Sequence, residues 1–157
     1  METEEFPIGE SLIAVSIVED QEFSGDELCI DQVELFFPDT KITLLPIADT
    51  DEIEILQQAE TNTDAVDTPL WCQSLISKKL MMVWICDNNQ GYQDQVIFAF
   101  DSLHPSITFI SEGSVLKVFR SQQISKYRNN KSVQASKNYV AQAALNELED
   151  VAFKTSI

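Results

Sequence analysis

The chain has 157 residues, 44% of them hydrophobic, and carries 26 Asp and Glu against 10 Lys and Arg, a formal net charge of −16. This length suits a single domain with a packed core, and no apolar run approaches the roughly 20 residues of a bilayer span. The charge opposes binding to nucleic-acid phosphates and to anionic membrane.

The stretch Met1-Glu2-Thr3-Glu4-Glu5 is acidic where a secretory signal would be basic and then apolar, so the expected location is the cytoplasm. The acidity is concentrated. Residues 1–68 hold 19 Asp and Glu against the single Lys41, a net of −18, whereas residues 69–157 hold 7 acidic and 9 basic residues, a net of +2. Such a field makes for solubility or attracts a basic partner, without defining a fold.

Alternation and β-branched or aromatic content predict eight strands. The first four cover 11–18, 28–37, 41–47 and 52–56. In the second of these Val33, Leu35 and Phe37 share one face, and Pro38-Asp39-Thr40 then marks a tight connection to the third. Residues 59–67 are poor in apolar side chains and read as a mobile loop. Thr68-Pro69-Leu70-Trp71-Cys72-Gln73-Ser74-Leu75-Ile76 reads as a short helix with Thr68 as its cap and Pro69 at its first position, Trp71 and Leu75 meeting on one face. The second four strands cover 79–86, 93–100, 106–111 and 115–119, with turns at 87–91, 101–105 and 112–113. Beyond Arg120 a basic linker leads to a predicted amphipathic helix over 136–152, where Val140, Ala144, Leu148 and Val151 share a side.

The two sets of strands resemble each other. Asp31-Gln32-Val33-Glu34-Leu35-Phe36-Phe37 returns as Asp94-Gln95-Val96-Ile97-Phe98-Ala99-Phe100, followed by Ile42-Thr43 against Ile107-Thr108 and Ile53-Glu54-Ile55 against Leu116-Lys117-Val118. The expected fold is therefore α+β and predominantly antiparallel β: two related four-stranded meanders, packed together or merged barrel-like, plus a C-terminal helix. A single domain over 1–157 is expected, with repeat units at about 10–57 and 78–120, a crossover with a short helix at 58–77, and the C-terminal linker and helix at 121–157.

Cys29, Cys72 and Cys86 are odd in number and have no C-x-x-C spacing, which reads as buried thiols in a reducing compartment. His104, the only histidine, stands beside Pro105 in a turn, and no Ser or Cys near it carries a nucleophile signature. The sharpest acidic constellation is Asp49-Thr50-Asp51-Glu52, with Asp39 as a candidate neighbour across the hairpin. No cofactor is expected, although hard carboxylate oxygens in this pattern could hold a divalent cation. The same residues also make a plain turn whose side chains bond nearby backbone groups. A second constellation, Asp87-Asn88-Asn89-Gln90-Gly91-Tyr92-Gln93-Asp94, combines turn residues with the amphipathic ring of Tyr92. Trp84, Asn89, Tyr92 and Asp94, with Phe23 from the acidic first-half loop, form a candidate partner-binding edge.

Residues 48–53, together with Trp84, Asn89, Gly91, Tyr92 and Asp94, resemble a pattern found in small bacterial proteins of uncharacterised function. The resemblance spans most of residues 10–120 and implies no activity. The leading expectation is a non-enzymatic acidic interaction protein, an adaptor or an inhibitor of a basic protein partner. The competing expectations are a carboxylate-based divalent-metal protein or hydrolase, and an acidic chaperone-like protein. Oligomeric state is left open.

Overall fold

The computed structural model describes residues 5–20, 26–59, 63–64 and 66–120. They form β1 (Ala14–Glu19), β2 (Ile30–Phe36), β3 (Thr40–Ile47), β4 (Glu52–Ala59), a 3-10 helix (Leu70–Leu75), β5 (Leu80–Asp87), β6 (Gln93–Phe100), β7 (Ile107–Glu112) and β8 (Val115–Phe119). Every pairing is antiparallel, and the eight strands make one curled sheet in the order β4-β3-β2-β8-β7-β6-β5, with β1 also on β2. The expected helix over 136–152 and its linker lie outside the described residues.

β1 to β4 and β5 to β8 are both meanders, and their pairing registers correspond. Val33 of β2 lies opposite Ile17 and Leu44, while Val96 of β6 lies opposite Ile85 and Phe109. One step on, Leu35 faces Val15 and Ile42, while Phe98 faces Val83 and Ile107. Because side chains alternate between sheet faces, equal registers send equal positions to the same side. Val33, Leu35, Val96 and Phe98 are all at most 2% exposed. The rings of Phe98 and Phe109 meet edge-on with centroids 6.1 Å apart, a favoured arrangement for aromatic quadrupoles.

The meanders join where Ile30 of β2 pairs with Leu116 of β8, both fully buried. Lys117, beside this junction, reaches Glu27 and Glu112 at 3.0 Å each. The chain before β1 engages the far edge of the sheet: the Leu12 N–H donates to Lys78 O, the Leu80 N–H to Glu10 O and the Gly9 N–H to Leu80 O, while Ser11 bridges Lys79. At Ile13 the chain crosses over, its N–H donating to Phe36 O as β1 begins along β2. The first strand therefore starts at Ala14 rather than Ser11, because residues 9–12 are used on Lys78, Lys79 and Leu80, where β5 begins.

β2, β3, β5 and β7 differ from expectation by one or two residues at one or both ends, and two larger differences are in β4 and the crossover helix. β4 continues through Ala59, which pairs with Thr40, so the ladder with β3 holds Gln57 and Gln58 in a strand despite their polarity. The crossover helix is 3-10, with Pro69 at its N-cap and no side-chain cap. Thr68 instead accepts the β1 amide of Val15 at 3.1 Å through its hydroxyl oxygen. With about three residues per turn, Cys72 and Leu75 share the buried face, and Trp71 packs against the core only in part. Cys29 and Cys72 are buried, and Cys86 is half-buried at a register shift. Among the described residues no helix is long and apolar enough to cross a membrane.

Candidate functional site

The acidic turn lies between β3 and β4. Its backbone closes where the Asp51 N–H donates to Ile47 O at 2.8 Å, with Asp51 in the left-handed region at φ 57°. Thr50 organises the inside of the turn. Its hydroxyl donates to Glu52 Oε1 at 3.0 Å and its oxygen accepts the Glu52 N–H at 3.4 Å. The carboxylates then leave the turn: Glu52 Oε2 accepts the Gln93 N–H at 3.4 Å and Asp51 Oδ1 accepts the Ser114 N–H at 3.1 Å.

Both are thus committed to backbone donors of the second meander, at the start of β6 and in the β7–β8 turn. Such bonds hold two parts of the chain together. Asp49 is in the same turn. Asp39 stands before the opposite end of β3, an eight-residue strand of about 26 Å, so the structure does not bring it to the other three. Among the described residues no cluster of three or more His, Cys, Asp or Glu is placed to hold a metal ion.

The second constellation adjoins the first through Gln93. The loop between β5 and β6 is built on Asn88, whose Oδ1 accepts the N–H groups of Gln90 at 2.8 Å and Tyr92 at 3.2 Å, and whose Nδ2 donates to Asp94 at 3.3 Å. The Asn88 N–H closes the loop on Tyr92 O, and Gly91 supplies a φ of 86° that a side chain would resist. Asn89 is exposed on the loop, and Tyr92 is 37% exposed. The constellation read from the sequence holds both Asn88 and Asn89, and it is Asn88 whose side chain builds the loop. Both are adjacent turn formers, and only the fold decides which one turns its amide inward. Trp84 is half-buried and pairs with Ile97, and its neighbour Ile85 takes the other face of β5. Phe23 lies outside the described residues.

Where the turn and loop meet, Phe6, Ile47, Ile53, Ile55 and Ile85 line an open groove of about 400 Å³, edged by Glu52, Glu54, Gln57 and Gln93. Ile47 is 37% and Ile85 42% exposed, so the apolar lining reaches the surface. β4, which supplies most of the wall, is a terminal strand of the sheet.

Residues 1–125 match a family described as being of unknown function, DUF6334. The chain belongs to this family. The DUF6334 match takes in all eight strands, the clasp made by Asp51 and Glu52, and every residue of the groove. No curated protein and no solved structure matches the chain.

Proposed function

We propose that this protein is a non-enzymatic interaction protein whose groove along β4 takes an extended, basic segment of a protein partner, in the manner of an adaptor or inhibitor. The observation that supports this reading is the juxtaposition of exposed Ile47 and Ile85 with the carboxylates of Glu52 and Glu54 in one groove. Apolar side chains of the partner gain by leaving water, at about 25 cal/mol for each Å² buried. The acidic edge orients Lys or Arg and accelerates encounter. A terminal strand adds unpaired backbone groups that can receive another strand.

Capture from native extract on the immobilised full chain tests the proposal, with Ile85→Asp and Glu54→Lys as variants on the groove. The expected result is a basic protein released by salt and lost with either variant. Capture indifferent to salt and to both substitutions, or no captured partner, would overturn it.

A further inference from the structure

At the opposite ends of β6 and β8 from the acidic clasp, Leu75, Lys78, Pro105, Ser106 and Arg120 line a second concavity of about 310 Å³. We propose that it is a binding site for a tetrahedral oxyanion of the phosphate class.

The charge pattern is the first reason. The five described cations are Lys41, Lys78, Lys79, Lys117 and Arg120. Lys41 pairs with Glu34, and Lys117 with Glu27 and Glu112. Lys78, Lys79 and Arg120 have no carboxylate partner among the described residues, and of these three Lys78 and Arg120 line the concavity together. Two positive charges that share one concavity repel each other unless an anion is between them.

The second reason is how Arg120 is held. Its Nη1 donates to Trp71 O at 3.2 Å and to Ser74 Oγ at 2.8 Å, which uses both hydrogens of that nitrogen. The Nε and Nη2 edge remains, a planar fork that matches two oxygens of one oxyanion. Burial lowers the Arg120 pKa, as expected of a cation partly withdrawn from water without a carboxylate beside it.

Ser106 supplies a third kind of donor. Its Oγ accepts the Phe100 N–H at 2.9 Å, and its backbone N–H is fixed on Phe98 O at 2.8 Å. The hydroxyl proton therefore remains available on a positioned oxygen. A guanidinium fork, an ammonium and a hydroxyl offer more donors than the two oxygens of a planar carboxylate can use fully, whereas a phosphate has enough. Leu75 and Pro105 leave an apolar wall for an organic substituent.

Isothermal titration of the full chain with inorganic phosphate, phenyl phosphate and acetate tests the site. Saturable phosphate binding is expected, with acetate at least about tenfold weaker. Lys78→Gln should weaken phosphate about tenfold, and Arg120→Lys, which keeps the charge but loses the fork, by a similar factor with an unchanged circular dichroism spectrum. Lys79→Gln removes the same charge one residue away and should leave affinity unaltered. Tighter binding of phenyl phosphate would identify a phosphoester as the ligand, and tighter binding of inorganic phosphate the free ion; either supports the site. No saturation at millimolar phosphate, acetate binding equally well, or equal losses in the Lys78 and Lys79 variants would overturn it.

Discussion

Asp51 and Ser114 occupy corresponding positions in the two meanders and are hydrogen-bonded to each other, Asp51 Oδ1 accepting the Ser114 N–H at 3.1 Å across 63 residues of chain. Each precedes the first residue of the fourth strand of its meander, and each is left-handed, with φ of 57° and 70°. Ser114 follows Gly113 at φ 65°, so the β7–β8 connection is a two-residue turn with positive φ at both centres, as tight hairpins prefer.

Substitutions at Asp51 should separate backbone strain from the lost bond. Asp51→Asn keeps an acceptor and a residue type tolerant of left-handed backbone, and should cost under about 0.5 kcal/mol. Asp51→Gly keeps the conformation but loses the acceptor, for about 1 kcal/mol. Asp51→Ala loses both and should cost about 2 kcal/mol. Urea unfolding of the three variants gives the order. Equal stability of the Ala and Asn variants would show that the clasp contributes nothing.

Ser111 of β7 is 3% exposed, and its Oγ has no hydrogen-bond partner among the described residues. A buried hydroxyl without a partner carries its desolvation penalty uncompensated. Ser111→Ala is expected to stabilise the fold by about 1 kcal/mol, seen as a rise of a few degrees in thermal midpoint. Destabilisation of that size would mean that the hydroxyl is in fact satisfied.

Burial pushes the Cys72 thiol up from 9.0 to about 12, against a smaller lowering by the charge of Arg120. Between these pH values the unfolded chain has lost a proton that the folded chain keeps. Stability should therefore fall as pH rises from about 9 towards 12, by at most about 1.4 kcal/mol per pH unit from this group. Below pH 9 both states hold the proton and the contribution is constant. Urea unfolding across this range should give a shallower alkaline decline for Cys72→Ala than for the unmodified chain. Parallel declines would exclude Cys72 as a source of the slope.

The strands were the legible part of the sequence. β6 and β8 begin and end where alternation places them, at Gln93–Phe100 and Val115–Phe119, because a strand half-buried on a sheet writes its period directly into the chain. The correspondence between residues 31–37 and 94–100 likewise announced the matched registers of β2 and β6. The largest misreadings are where a distant segment intervened: Ser11 is drawn to Lys79, Gln57 and Gln58 are paired along β3, and Thr68 is turned from its own helix to the amide of Val15.

Sequence alone determined two antiparallel meanders, their succession along the chain and the apolar side of the second strand, since these follow from local periodicity and turn chemistry; that Ile30 joins them to Leu116 in one sheet is a tertiary fact. Only the tertiary structure decided the uses of the polar side chains. The amide of Asn88 serves the loop while Asn89 stays on its surface, Asp51 and Glu52 each turn one oxygen to a backbone N–H group of the other meander, and Asp39 is a strand's length away. Lys78 and Arg120 stand together although 42 residues separate them. Periodicity reports which face a residue takes, whereas a hydrogen bond or charge pairing depends on the distance to groups that only folding brings near.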